Sequence, residues 1–169
     1  MAFSAGAYGP DVERILTSGT PSLQGLVAAA RPTTELQRSI SASLFTGAAH
    51  PKGALAGFWL YFDCFDESHR VSQEDESADG SFWHGIAHRR EPDYSNAGYW
   101  FRRVGTHPVY PQILKQVGTG LGPKWDPLKF NDYCEGSQAS GGERLDWALR
   151  VQRVEWEILF DYCARKRSV

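Results

Sequence analysis

Cysteine is scarce in this 169-residue chain, with only Cys64, Cys134 and Cys163 present. An odd count without metal-ligand spacing argues against a disulfide framework and fits a reducing cytoplasmic setting. Long apolar runs are also missing. The longest uncharged apolar run, residues 53–62, ends at Asp63, and residues 1–10 offer neither a basic leader nor an apolar stretch behind it. Neither a membrane span nor a secretory signal is therefore expected. Charge of one sign does not dominate either: 18 basic and 20 acidic side chains leave a net −2. A balance this close to neutral argues against nucleic acid as a partner. Strict polar–apolar alternation and internal repeats are absent, which removes the main signals for strands and solenoids.

What is present is aromatic and hydrophobic mass: six Trp, seven Tyr and nine Phe, within 41% hydrophobic residues. A chain of this length buries roughly 70% of its unfolded surface, so metal is not needed merely to fold. The charge is uneven. Residues 1–84 carry five basic and ten acidic groups, and residues 85–169 carry thirteen and ten. Arg outnumbers Lys thirteen to five, which favours bidentate pairing over loose solvation.

Pro and Gly divide the sequence into segments that read as helices. Thr33, Thr34 and Glu35 open one that runs to about Phe45, followed by a linker over 46–53. A long helix is expected from about Ala54 to Gln73, apolar nearly all round in its first half and hence buried. The acidic stretch 74–81 reads as a solvated loop, with Asp79, Gly80 and Ser81 capping a helix over 82–91 that Pro92 ends. Asp93 or Ser95 caps the next, over 96–104, and Gly105 stops it. His107 and Pro108 open another that reaches Val117. Asp126 followed by Pro127 starts a helix to Glu135, and 136–142 reads as a flexible loop. In the last helix, 143–166, Leu145, Leu149, Gln152, Trp156, Leu159 and Cys163 form a core-facing stripe. Arg165, Lys166 and Arg167 at its end complement the helix dipole. The expectation is an all-α, compact single-domain bundle of six or seven helices over 1–169, with 1–32 loosely packed.

One constellation stands out for chemistry. His84, His88 and Glu91 recur at i, i+4 and i+7, so a helix places them within about 60° of one face. Two imidazoles and a carboxylate are the donor set of a catalytic zinc or non-haem iron site. His69 on the preceding helix can add a ligand. Asp66, three residues earlier, makes an Asp-x-x-His pair like the Glu-x-x-His pairs of di-metal bundles, but Glu155 is the only further inward carboxylate in view. The motif is not that of a zinc protease, because Gly85 follows His84 and no Glu stands between the histidines. The same residues also suit a metal-free acid/base pocket, with Asp66 or Glu91 orienting a His general base, or a purely structural network.

Two Arg pairs bracket this segment, Arg89-Arg90 and Arg102-Arg103. Adjacent helical residues point about 100° apart, so one Arg of each pair should face inward and need Glu91, Asp93, Asp66 or an anionic ligand. Arg90, Arg103, Asn96 and Trp100 are the candidate substrate-binding residues. The crowded aromatics nearby read chiefly as core. The Gly118 to Gly122 stretch meets Pro123 instead of opening a phosphate-binding helix, and the three Cys fall inside helices as buried, inert thiols.

The run 81–105, Ser-Phe-Trp-His-Gly-Ile-Ala-His-Arg-Arg-Glu-Pro-Asp-Tyr-Ser-Asn-Ala-Gly-Tyr-Trp-Phe-Arg-Arg-Val-Gly, resembles a block in a family of uncharacterised bacterial and fungal proteins. Residues 66–69 and 155–163 resemble other pieces of it. The resemblance covers about half the chain and implies no activity or residue roles. From the residues themselves, the expected function is an enzyme acting on a small polar or anionic metabolite, with one divalent ion (Zn, Fe or Mn) held by His84, His88, Glu91 and His69. The competing expectation is a non-catalytic ligand- or protein-binding domain. Neither nucleic acid nor membrane is an expected partner.

Overall fold

A computed structural model describes residues 3–18, 23, 25–28 and 33–166, and all its regular elements are helical. The α-helices are α1 (Pro10–Leu16), α2 (Thr34–Ser39), α3 (Pro51–Tyr61), α4 (Phe65–Gln73), α5 (Ala78–Arg90), α6 (Tyr94–Val104), α7 (Tyr110–Val117), α8 (Pro127–Ser140) and α9 (Gly142–Ala164). Short 3-10 turns cover Ala5–Tyr8 and Ala42–Phe45. The all-α class is as expected.

The helix count is nine among the described residues, not six or seven. α1 adds one helix. The long helix expected over 54–73 breaks into α3 and α4 where Asp63 takes a left-handed φ of 59°. Few L side chains adopt that region, and Asp and Asn tolerate it best. The segment expected as one helix to Phe45 stops at extended Ile40. Conversely, α8 runs through Gly136 to Ser140, and only Gly141 and Gly142, with φ of 65° and 56°, end it.

The helix starts follow side-chain capping. Thr33 Oγ1 accepts from Leu36 N at 3.3 Å, Asp93 Oδ1 from Asn96 N at 3.1 Å, and Asp126 Oδ1 from Leu128 N at 2.9 Å. α5 begins earlier than its sequence suggests: Ser77 Oγ accepts from Gly80 N, and Asp79 to Ser81 lie inside the helix and are buried. Only 74–77 remains as loop.

α5 is the centre of the fold, buried at every residue from Asp79 to Arg90. Two glycines let its neighbours approach. A Cβ at Gly57 would stand 2.5 Å from Trp83, and one at Gly85 would stand 2.6 Å from Phe101. α3 and α6 thus pack against α5 at distances that only glycine permits. α9 closes the core: Trp156 stacks on Phe160 at 4.6 Å and donates its Nε1–H to Gly57 O at 2.8 Å. Of the stripe expected on α9, Gln152, Trp156, Leu159 and Cys163 are buried, while Leu145 and Leu149 are half-buried. Arg165 at its end pairs with Asp161 at 2.7 Å; Arg167 lies outside the described residues. In the N-terminal segment Tyr8, Val12, Ile15, Leu23 and Leu26 are buried in the core, and residues 1–2, 19–22, 24 and 29–32, part of the stretch expected to pack loosely, lie outside the described residues.

Candidate metal centre

Three helices converge on one cluster of imidazoles. α5 presents His84 and His88 one turn apart on the same face, and α4, crossing beside it, supplies His69. α4 is fixed there by Ser68, whose Oγ–H donates to Ala56 O of α3 at 2.9 Å. α6 covers the cluster with Trp100, stacked on His84 at 3.9 Å and 15° between planes, and with Asn96, whose Nδ2 lies 3.1 Å from His88 Nε2.

The donor atoms of His69, His84 and His88 all lie within 4.8 Å of one another. His84 Nε2 and His88 Nε2 are 3.1 Å apart. Two nitrogens bound tetrahedrally to zinc at 2.0–2.1 Å would be separated by about 3.3 Å, so these two nitrogens already stand at coordination spacing. His84 and His88 are 1% and 5% exposed. Burial, with the like-charged neighbours His69 and His88, pushes the His84 pKa down to about 3. His88 is also lowered, first by burial and then by His69, with Asp93 and Glu91 pulling the other way. Both rings are thus neutral at pH 7, the form in which imidazole binds metal. Among the described residues, buried His84 Nδ1 has no hydrogen-bond partner.

Glu91 takes a different position from that expected of a ligand. α5 ends at Arg90, and Glu91 Oε2 sits 3.5 Å from His88 Nδ1, on the ring edge opposite Nε2. It is therefore placed to accept from Nδ1–H and orient His88, as carboxylates behind metal-bound histidines do. Asp66 is exposed and stands outside the three-histidine group. Asp66, Arg90 and Glu91 instead come together on a cleft of about 440 Å³, also lined by Phe65 and Glu67. Phe65 is in edge contact with His88, so the cleft adjoins the imidazole cluster.

The Arg pairs do not split inward and outward. Arg89 and Arg90 are both buried, and Arg102 and Arg103 both exposed. The reason is tertiary: α5 is enclosed on all sides, whereas α6 is amphipathic and shows one broad face to solvent. Arg90 donates to Leu60 O at 2.8 Å and pairs with Asp63 at 2.5 Å, bracing the α3–α4 break. Arg89 pairs with Glu155 of α9, the carboxylate considered for a second metal, and lies 4.6 Å over Phe130. Burial works against the Arg89 charge, yet Glu155 more than restores it, and the same burial raises the Glu155 carboxyl against the pull of Arg89. Arg103 lies 5.1 Å over the Trp100 ring. The three cysteines are free and buried, and burial pushes Cys64 and Cys134 up to about 12. Among the described residues, no helix is long and apolar enough to cross a membrane.

Sequence spacing did not reveal a second polar cluster, His50–Asp79–His107. Its members lie 28 or more residues apart in sequence and meet only where the helix ends converge. Compared with protein-family models, curated proteins and solved structures, the chain matches none.

Proposed function

We propose that the chain is a metal-dependent enzyme of the cytoplasm that acts on a small polar or anionic metabolite, with His69, His84 and His88 holding one divalent ion. The observation that carries this reading is the convergence of three imidazole donors within 4.8 Å, two of them buried and held neutral. Three neutral ligands leave the ion its full double charge and an open coordination position, which draws an anionic or polarisable oxygen. Such an ion polarises substrate or lowers the pKa of bound water. Asn96 and the Glu91-backed His88 are the groups next to that position, and the cleft along Asp66, Arg90 and Glu91 is the approach. All-nitrogen donors favour zinc, with iron and manganese as the alternatives. Three free thiols accord with a reducing compartment.

The test is elemental analysis of tag-free protein, as purified and after dialysis against zinc, iron or manganese, with His69→Ala, His84→Ala and His88→Ala alongside. One equivalent in the wild type, lost in each variant while the folded state persists, is the expected result. No metal under any of these conditions would remove the metal reading and leave the cluster as a structural network.

A further inference from the structure

Away from the metal centre, Asp79 holds two imidazoles at once. Its Oδ2 lies 2.8 Å from His50 Nδ1, and its Oδ1 lies 2.8 Å from His107 Nε2. A carboxylate only accepts, so His50 carries its proton on Nδ1 and His107 on Nε2. His107 is then fully used: its Nδ1 accepts from Val109 N at 3.4 Å, and its side chain is 1% exposed. His50 is not. Its side chain is 34% exposed, one face stacks on Tyr162 at 4.7 Å, and its Nδ1 edge is turned toward buried Asp79. Among the described residues no hydrogen bond or ion pair reaches its Nε2, the ring nitrogen that carries the lone pair in this tautomer. This is a base oriented by a buried carboxylate, with the carboxylate itself fixed by a third group.

No side-chain hydroxyl or thiol is hydrogen-bonded to His50 among the described residues, so the dyad does not activate a nucleophile of its own. His50 is itself the nucleophile in view. It also occupies the N-cap of α3, an eleven-residue helix whose first intrahelical bond runs from Ala54 N to His50 O. The His50 side chain does not cap that helix, because Asp79 holds it. The amide of exposed Lys52 lies in the first turn, at the positive end of the dipole, where an anionic group beside the imidazole is favoured.

We propose that His50 is a phosphoryl-accepting histidine, modified at Nε2 by a phosphoramidate-type donor. In the transfer, Nε2 attacks phosphorus and the new N–P bond forms as the donor's P–N bond breaks. The electron pair leaves with the donor nitrogen, which departs as an amine with a proton drawn from solvent. The imidazole keeps its Nδ1–H on Asp79, and the positive charge it gains faces that carboxylate. The site is independent of the metal reading and stands or falls separately.

Folded protein is incubated with potassium phosphoramidate and labelled histidines are mapped by tandem mass spectrometry, with phosphorus NMR to assign Nε2. The chain's other four histidines, His69, His84, His88 and His107, serve as internal controls. The expected result is labelling of His50 ahead of the others and faster than the same residue in urea-unfolded chain. His50→Gln should abolish it, and Asp79→Asn should slow it by about tenfold or more. Label appearing first on another histidine, no label, or a His50 rate no greater than in the unfolded chain would overturn the proposal. The comparison of folded with unfolded wild type decides the matter even if Asp79→Asn fails to fold.

Discussion

His84 Nε2 and His88 Nε2 face each other at 3.1 Å inside the protein, closer than two unprotonated imidazole nitrogens would stand without something shared between them. A proton or a metal ion fills that role. Their depressed basicity gives the first prediction. For His84 the folded pKa is near 3 and the ordinary value is 6.5. Between those values the unfolded chain binds the proton and the folded one does not, so this contribution is intact above pH 6.5 and is lost as pH falls toward 3. Metal-free protein should lose up to about 1.4 kcal/mol per pH unit through this group in that window. Urea titrations at pH 7, 6, 5 and 4 check it, and His84→Gln should flatten the profile; an unchanged slope would refute the assignment.

Glu91 offers a second prediction, one that separates a positioning role from ligation. If its carboxylate orients His88 through Nδ1, Glu91→Gln should weaken zinc binding by about 10- to 100-fold while leaving one site per chain. Isothermal titration reads both quantities. Complete loss of the site would make Glu91 a direct ligand, contrary to its 3.5 Å placement on the far edge of the ring.

The Arg89–Glu155 pair is buried at 1% and 0% exposure, with Arg89 Nε and Nη1 and Glu155 Oε1 making no further hydrogen bond among the described residues. Removing one partner strands the other charge. Glu155→Ala should therefore cost about 3–5 kcal/mol, while Arg89→Met with Glu155→Leu should be far less costly than the single change. Chemical denaturation of the three proteins measures the difference. A double variant as unstable as Glu155→Ala would show that packing, and not charge, dominates here.

Gly85 should tolerate no side chain, since a Cβ there would stand 2.6 Å from Phe101 across the α5–α6 contact. Gly85→Ala is expected to destabilise by about 1–3 kcal/mol through overpacking, against the usual helical gain from alanine. Thermal melting is the measurement, with Gly98→Ala as control: the nearest atoms to a Cβ there are at 3.5 and 3.8 Å, ordinary contact distances.

How much of this was written in the sequence depends on the range of the forces involved. Caps act over three or four residues, and Thr33, Asp93 and Asp126 start their helices as their side chains dictate. Apolar periodicity located α9, and the i, i+4 spacing brought His84 and His88 to one face. Breaks without Pro or Gly were illegible, because Asp63 adopts its left-handed backbone in company with Arg90 of another helix. Ser77 won over Asp79 as the cap of α5 because Asp79 is claimed by His50 and His107.

The sequence by itself determined the all-α class and the α5 face that carries two histidines, since these follow from propensity and period alone. Tertiary structure decided the rest. It placed Glu91 behind His88 instead of beside it, buried Arg89 and Arg90 together, and joined residues 50, 79 and 107. Those outcomes turn on which charge is desolvated next to which partner, a quantity fixed by helix packing and not by spacing along the chain.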